Sequence, residues 1–126
     1  MQFPPTITSS SEWHKNGAKS IKLTCEHTNS FCRFKYQLNP EDIGKRLTIG
    51  LSVYSTHAGS VFFNAFNSSN TVLMNRSITY SKDNGADILF SEITIVEGWS
   101  WIALTINFSQ SSDAIRYIDN CLLYIQ

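Results

Sequence analysis

The chain has 126 residues and a mass of 14.3 kDa, room for one compact domain burying roughly two thirds of its unfolded surface but hardly for two. Apolar residues make up 42% and aromatics 13%, which excludes a disordered or fibrous chain. Ten basic residues balance ten acidic ones, so no global field attracts nucleic acid or an anionic membrane.

The opening Met1-Gln2-Phe3-Pro4-Pro5 lacks the charged and apolar regions of a secretory leader. The longest apolar stretches, such as Ile102 to Ile106 with its internal Thr105, fall far short of the ~20 residues of a membrane span. An exported domain would then be a piece of a longer polypeptide or part of a virus particle released by lysis. Positions 1–126 are expected to form a single unit, with 1–19 as a lead-in.

Beyond the lead-in, hydrophobicity alternates with period two, and no stretch sustains a helical period. Ser20 to Glu26 sets Ile21, Leu23 and Cys25 against Lys22, Thr24 and Glu26. Cys32 to Leu38 mirrors it with Phe34 and Tyr36 inward and Arg33 and Lys35 outward, and the two are expected to pair as a hairpin across His27-Thr28-Asn29-Ser30. Cys25 and Cys32 would then lie opposite each other, either bridged or as two small buried thiols. Cys121 belongs to a run of apolar alternation and is expected in the core. No cysteine has zinc-type spacing.

A turn is expected at Asn39-Pro40-Glu41-Asp42, with a single helical turn within Asn39 to Gly44. Arg46 to Ser55 places Leu47, Ile49, Leu51 and Val53 inward. Ser60 to Asn67, Val72 to Tyr80 and Asp87 to Val96 follow, divided by breaks at 56–59, 68–71 and 81–86. Arg76 interrupts the apolar row of Val72, Met74 and Ile78, which reads as a bulge, a charge in a concave groove, or a shifted register. Trp99 to Phe108 and Arg116 to Ile125, joined by Ser109 to Asp113, bring the count to eight strands. Eight short strands without a helix predict an all-β, antiparallel sandwich of jelly-roll type.

Catalytic signatures are missing: no nucleophile elbow, no His-Glu-x-x-His, no phosphate loop and no dinucleotide fingerprint. Glu92 and Glu97 are expected on opposite faces, unlike a paired glycosidase acid and base. A non-enzyme is expected. What the core pattern leaves over is a set of rings on the polar parity: Trp99 and Trp101 with Thr105 and Asn107, Tyr54 with Thr48 and Ser52, and Phe62 and Phe66 with Asn64. Aromatic faces stack on the C–H faces of sugar rings, and amide or guanidinium groups bond hydroxyls. The candidate carbohydrate-binding set is therefore Trp99, Trp101, Tyr54, Phe62, Asn64, Asn107 and Arg116. The alternative is that a loop, the N-terminal segment or another subunit covers these rings.

Tyr117-Ile118-Asp119-Asn120-Cys121-Leu122-Leu123, following a Trp-bearing strand and a polar loop, resembles the last strand of carbohydrate-binding-module-like jelly rolls, the galactose-binding-like group that includes similar modules of phage tail and host-recognition proteins. Trp13 followed by Gly17 to Leu23 is similar to their first core strand, and Leu38 to Lys45 to the segment before the strand from Leu47. The resemblance spans most of the chain. It implies a non-catalytic module that recognises a neutral glycan, a polysaccharide or cell-surface glycan, in a secreted protein. The alternative it carries is a structural or host-recognition module of a phage tail or surface assembly, on a virion and as a homo-oligomer, often a trimer. It also implies a structural calcium ion held by Asp119. Calcium takes six to eight oxygen ligands, and in Phe3 to Glu12 only Glu12 is of the right type; the alternative is that Asp119 caps backbone amides. The Asn-x-Ser sequons at Asn67, Asn75 and Asn107 matter only in a eukaryotic secretory route.

Overall fold

The computed structural model describes Thr6–Ser10, Ser20–Thr24, 31–107 and 115–126, with the backbone alone for Thr6–Ser10, Ser20–Thr24, Phe31 and Asn107. Nine strands are present among the described residues: β1 (Thr6–Ser10), β2 (Ser20–Thr24), β3 (Phe31–Gln37), β4 (Arg46–Ser55), β5 (Gly59–Phe66), β6 (Val72–Tyr80), β7 (Ala86–Thr94), β8 (Trp101–Asn107) and β9 (Ile115–Ile125). They form two antiparallel sheets, a five-stranded one in the order β1-β2-β9-β4-β7 and a four-stranded one in the order β3-β8-β5-β6. No α-helix occurs among the described residues, and the predicted antiparallel sandwich is what the chain adopts.

Period-two alternation places the core. Leu47, Ile49, Leu51 and Val53 of β4 face Val61, Phe63 and Ala65 of β5 and Ile102, Leu104 and Ile106 of β8, all buried in one cluster. Phe63 and Phe90 meet across it with ring centroids 5.9 Å apart. Each such aliphatic or aromatic side chain contributes about 1.5–3 kcal/mol when taken from water.

Three expectations about the chain path are corrected. β2 and β3 do not form a hairpin: β2 pairs with β1 and β9, and β3 pairs with β8 in the other sheet. Alternation reports which face of a strand is buried but not which strand lies beside it, so a short polar connection is compatible with a step between sheets. The predicted opposition of Cys25 and Cys32 falls with the hairpin; Cys25, like Glu12 and Trp13, lies outside the described residues. The lead-in also contains a strand, β1, which brings the strands among the described residues to nine, one more than expected.

β4 is flanked by two irregularities. Against β7 the register shifts between Leu47 and Ile49, where Glu92 takes a φ of 56°; against β9 it shifts between Gly50 and Ser52, where Asn120 takes a φ of 54°. Each adds a residue to the strand beside β4 and reverses its in-out parity, as a β-bulge does. Ile88 and Phe90 point inward before the first bulge, and Ile93 after it. The second bulge corrects the placement of Cys121, which is exposed and lines a lateral cleft of about 450 Å³ between β3 and β9. Arg76 does hold an inward parity on β6, but β6 is the edge of its sheet, so its Nη1 donates to the Ser91 carbonyl of β7 at 3.2 Å and clasps the two sheets along that side. The helical turn between β3 and β4 is a single 3-10 turn over Pro40–Asp42, with the buried Asp42 accepting from the Asn39 backbone N–H at 2.8 Å.

Candidate functional site

The outer face of the four-stranded sheet is assembled by register. Arg33 of β3 lies beside Thr105 of β8, which lies beside Phe62 of β5 and then Ser77 of β6; the next outward row is Lys35, Ala103, Asn64 and Asn75; the third begins Gln37, Trp101 and Phe66. The inward parity of the same strands already fills the core, so these side chains are free of packing duty on the inside.

A hydrogen-bonded seam crosses all four strands. Arg33 Nε donates to Thr105 Oγ1 at 3.1 Å, the Thr105 hydroxyl donates to Asn64 Oδ1 at 3.3 Å, and Asn64 Nδ2 donates to Asn75 Oδ1 at 2.9 Å. Asn64 and Thr105 are buried within it, and a buried amide or hydroxyl is tolerated because these partners replace water. Partial burial lowers the Arg33 guanidinium from its usual value without removing its charge.

Aromatic rings border the seam on both sides. On one side is the half-buried Phe62. On the other, Phe66 and Trp101 stack at 3.7 Å with an interplanar angle of 8°. Lys35 Nζ sits 4.1 Å from the Trp101 ring centroid, and the Arg33 guanidinium carbon 5.2 Å from that of Phe66, within range of cation–π attraction. Trp101 Nε1 donates to Asn70 Oδ1 at 2.9 Å. Asn70 is presented by a turn in which Asn67 Oδ1 accepts from the backbone N–H groups of Ser69 and Thr71.

The structure gathers only part of the predicted set. Phe62, Asn64 and Trp101 share this face, but Trp101 is only 6% exposed, spent on Phe66, Lys35 and Asn70 rather than offered as an open platform. Trp99 is not on the face: it is 7% exposed in the core cluster, its ring 6.4 Å from Phe63. β8 begins only at Trp101, and the turn before it, with Gly98 at a φ of 99°, breaks the alternation that would have put both tryptophans on one side. Arg116 shares the inward parity of Ile118 and is 2% exposed, donating from Nε to Tyr80 Oη at 2.6 Å. Tyr54 lies on the opposite sheet, its ring 6.2 Å from that of Tyr117. Asn107 closes β8 opposite Phe31, beyond the residues whose side chains are described. Sequence reasoning placed Thr105 on the face of Trp101 but left it, with Arg33, Lys35 and Asn75, out of the candidate binding set, since these look like routine outward positions until the cross-strand register is known.

Asp119 is half-buried on β9, with Oδ1 accepting from the Asn120 backbone N–H at 2.7 Å. Among the described residues no three His, Cys, Asp or Glu side chains converge.

No protein-family model matches the chain, and no curated protein does. Solved structures of the same fold exist at low identity. The chain is similar to the enzymatically active domain of tailspike protein 4 of bacteriophage CBA120, at 13% identity and a TM-score of 0.72, covering 98% of this chain but only 18% of that one. It is similar to a family 16 carbohydrate-binding module at 13% identity and a TM-score of 0.70, covering 94% of this chain and 84% of that one. It is also similar to a family 4 carbohydrate-binding module at 9% identity and a TM-score of 0.67, covering 94% and 78% of the two chains. The fold is thus that of carbohydrate-binding modules and of a phage tailspike domain.

Proposed function

We propose that the chain is a non-catalytic module that binds a neutral glycan, a polysaccharide or cell-surface glycan, on the outer face of the four-stranded sheet, as part of a protein acting outside the cell. The observation that carries this reading is the polar seam from Arg33 to Asn75 bordered by Phe62 on one side and by Phe66 and Trp101 on the other. Phe62 supplies a ring face for a sugar, while the seam holds amide and guanidinium donors in fixed directions for hydroxyls. The likeness to carbohydrate-binding modules supports it.

The test is a glycan array followed by calorimetry with wild type and Phe62→Ala. Phe62 is half-buried and outside the core cluster, so the variant keeps its melting temperature while affinity falls by about 1–3 kcal/mol, roughly 5- to 150-fold. A wild type that binds no glycan, or a variant that binds unchanged, removes the proposal.

The tailspike likeness favours a second reading, a structural or host-recognition module of a virion whose outer face packs against sister subunits. Light scattering separates the two: a trimer without glycan binding favours the second.

A further inference from the structure

Residues 81–85, which carry the chain from β6 at the edge of one sheet to β7 at the edge of the other, are all exposed. Within them Asn84-Gly85 follows a turn at Lys82-Asp83, where Asp83 takes a φ of 55° and donates its N–H to the Ser55 carbonyl at 2.8 Å. The ladder with β4 begins only at Ala86, opposite Val53. Among the described residues neither the Gly85 N–H nor the Asn84 carboxamide has a hydrogen-bond partner. The peptide joining them can therefore turn about Asn84 without breaking a bond, and the missing Cβ of Gly85 leaves its nitrogen open to close approach.

The other asparagines with described side chains are restrained. Asn39 precedes Pro40, which has no N–H. Asn64 and Asn75 bond each other, and Asn70 Oδ1 accepts from Trp101 Nε1. Asn67 Oδ1 accepts from the N–H groups of Ser69 and Thr71, which holds its carboxamide in an Asx turn. Asn120-Cys121 lies inside β9.

We propose that Asn84-Gly85 is a self-modifying site, converting to isoaspartate in the folded chain with water as the only co-reactant. The Gly85 nitrogen gives up its proton to solvent base and attacks Asn84 Cγ. A C–N bond forms, the carboxamide nitrogen leaves as ammonia, and a cyclic imide remains. Water then opens the ring at either carbonyl, giving aspartate or isoaspartate, in which the backbone runs through Cβ and Cγ. One water replaces one ammonia overall, and nothing is oxidised or reduced. Either product raises the acidic count from ten to eleven against ten basic residues, and sets the new carboxylate beside Asp83 and near Asp87. Isoaspartate also lengthens the backbone of the link between the two sheets, next to the anchor on Ser55. The proposal does not depend on glycan binding at the sheet face.

The experiment incubates the protein at mildly alkaline pH, folded and in guanidinium chloride, and follows each asparagine by peptide mass spectrometry with fragmentation that separates isoaspartate from aspartate. Asn84 should convert in the folded chain about as fast as in denaturant, with isoaspartate among its products. Freeing the Asn67 carboxamide means breaking two hydrogen bonds, so that residue should convert roughly 5- to 150-fold more slowly folded than denatured. The chain's other Asn-Gly pair, Asn16-Gly17, lies outside the described residues and is read as a separate peptide. Asn84→Gln, at an exposed position, should keep the melting temperature and abolish conversion in that peptide alone. An Asn84 that stays intact in the folded chain while it converts in denaturant, or that yields aspartate without isoaspartate, would overturn the site. Equal folded-to-denatured ratios at Asn67 and Asn84 would overturn the structural basis for singling it out.

Discussion

Trp101→Ala measures whether the tryptophan of the sheet face is a structural or a ligand-facing group. The ring is 6% exposed and stacks at 3.7 Å on Phe66. Truncating a buried aromatic costs about 3–5 kcal/mol. Here the removed ring borders solvent, which refills the gap, and exposed Asn70 recovers a water in place of the indole N–H. The expected loss therefore sits at the low end, about 3 kcal/mol, of which the Phe66 stack accounts for about 0.5–1.5 kcal/mol and the Lys35 cation for about 0.5–1 kcal/mol. Urea unfolding should show a lower midpoint at an unchanged slope, and melting should fall by roughly 10 °C. A double-mutant cycle with Phe66→Ala isolates the stack, with an expected coupling of about 0.5–1.5 kcal/mol. A loss below about 1 kcal/mol would refute the reasoning and return the indole to service as a ligand platform.

Tyr80→Phe removes the hydroxyl that accepts from buried Arg116 and should cost about 1.5–3 kcal/mol by urea unfolding; a neutral result would mean that the bond is replaced without penalty. Gly50→Ala should lose about 1–3 kcal/mol in the same assay, because a Cβ there runs into the Ile88 carbonyl and the Leu89 backbone on β7; wild-type stability would show that β4 can move aside. Burial raises the Cys32 thiol, with the neighbouring Cys121 adding to it, and loss of solvent around the Cys121 sulfur in the cleft, followed by Asp119, raises Cys121 although that residue is exposed as a whole. Both thiols therefore stay neutral around pH 8, and iodoacetamide should label them more slowly in the folded chain than in urea, as followed by peptide mass spectrometry. Their folded values lie above their unfolded ones, so this contribution to stability is intact below about pH 9 and declines as pH rises past it; equal labelling rates in both states would contradict the shift.

The architecture was legible because the rows Leu47 to Val53, Val61 to Ala65 and Ile102 to Ile106 each bury an unbroken parity, and period two leaves little choice of fold class. Partnership was not legible. The pairing of β2 with β9 and of β3 with β8 joins segments far apart in the chain, and alternation is indifferent to which neighbour completes a ladder. Parity itself failed where the backbone resets it: at the turn through Gly98, which sent Trp99 inward, and at Asn120, which sent Cys121 out. Phe62 and Asn64 were placed on the right face because β5 keeps one uninterrupted parity from Val61 to Phe66. Their partners Arg33, Thr105 and Asn75 come from three other strands, and only the register brings them into line.

Every link of the line from Arg33 through Thr105 and Asn64 to Asn75 donates in the same sense, from the β3 edge toward the β6 edge. Dipoles arranged head to tail reinforce one another and resist the reversal of any single member. The two edges are consequently not equivalent, one ending in a cation and the other in a carboxamide. An oligomer laid along that line, having a reducing and a non-reducing terminus of its own, would meet a vector rather than a symmetric floor, and only one of its two head-to-tail orientations would match.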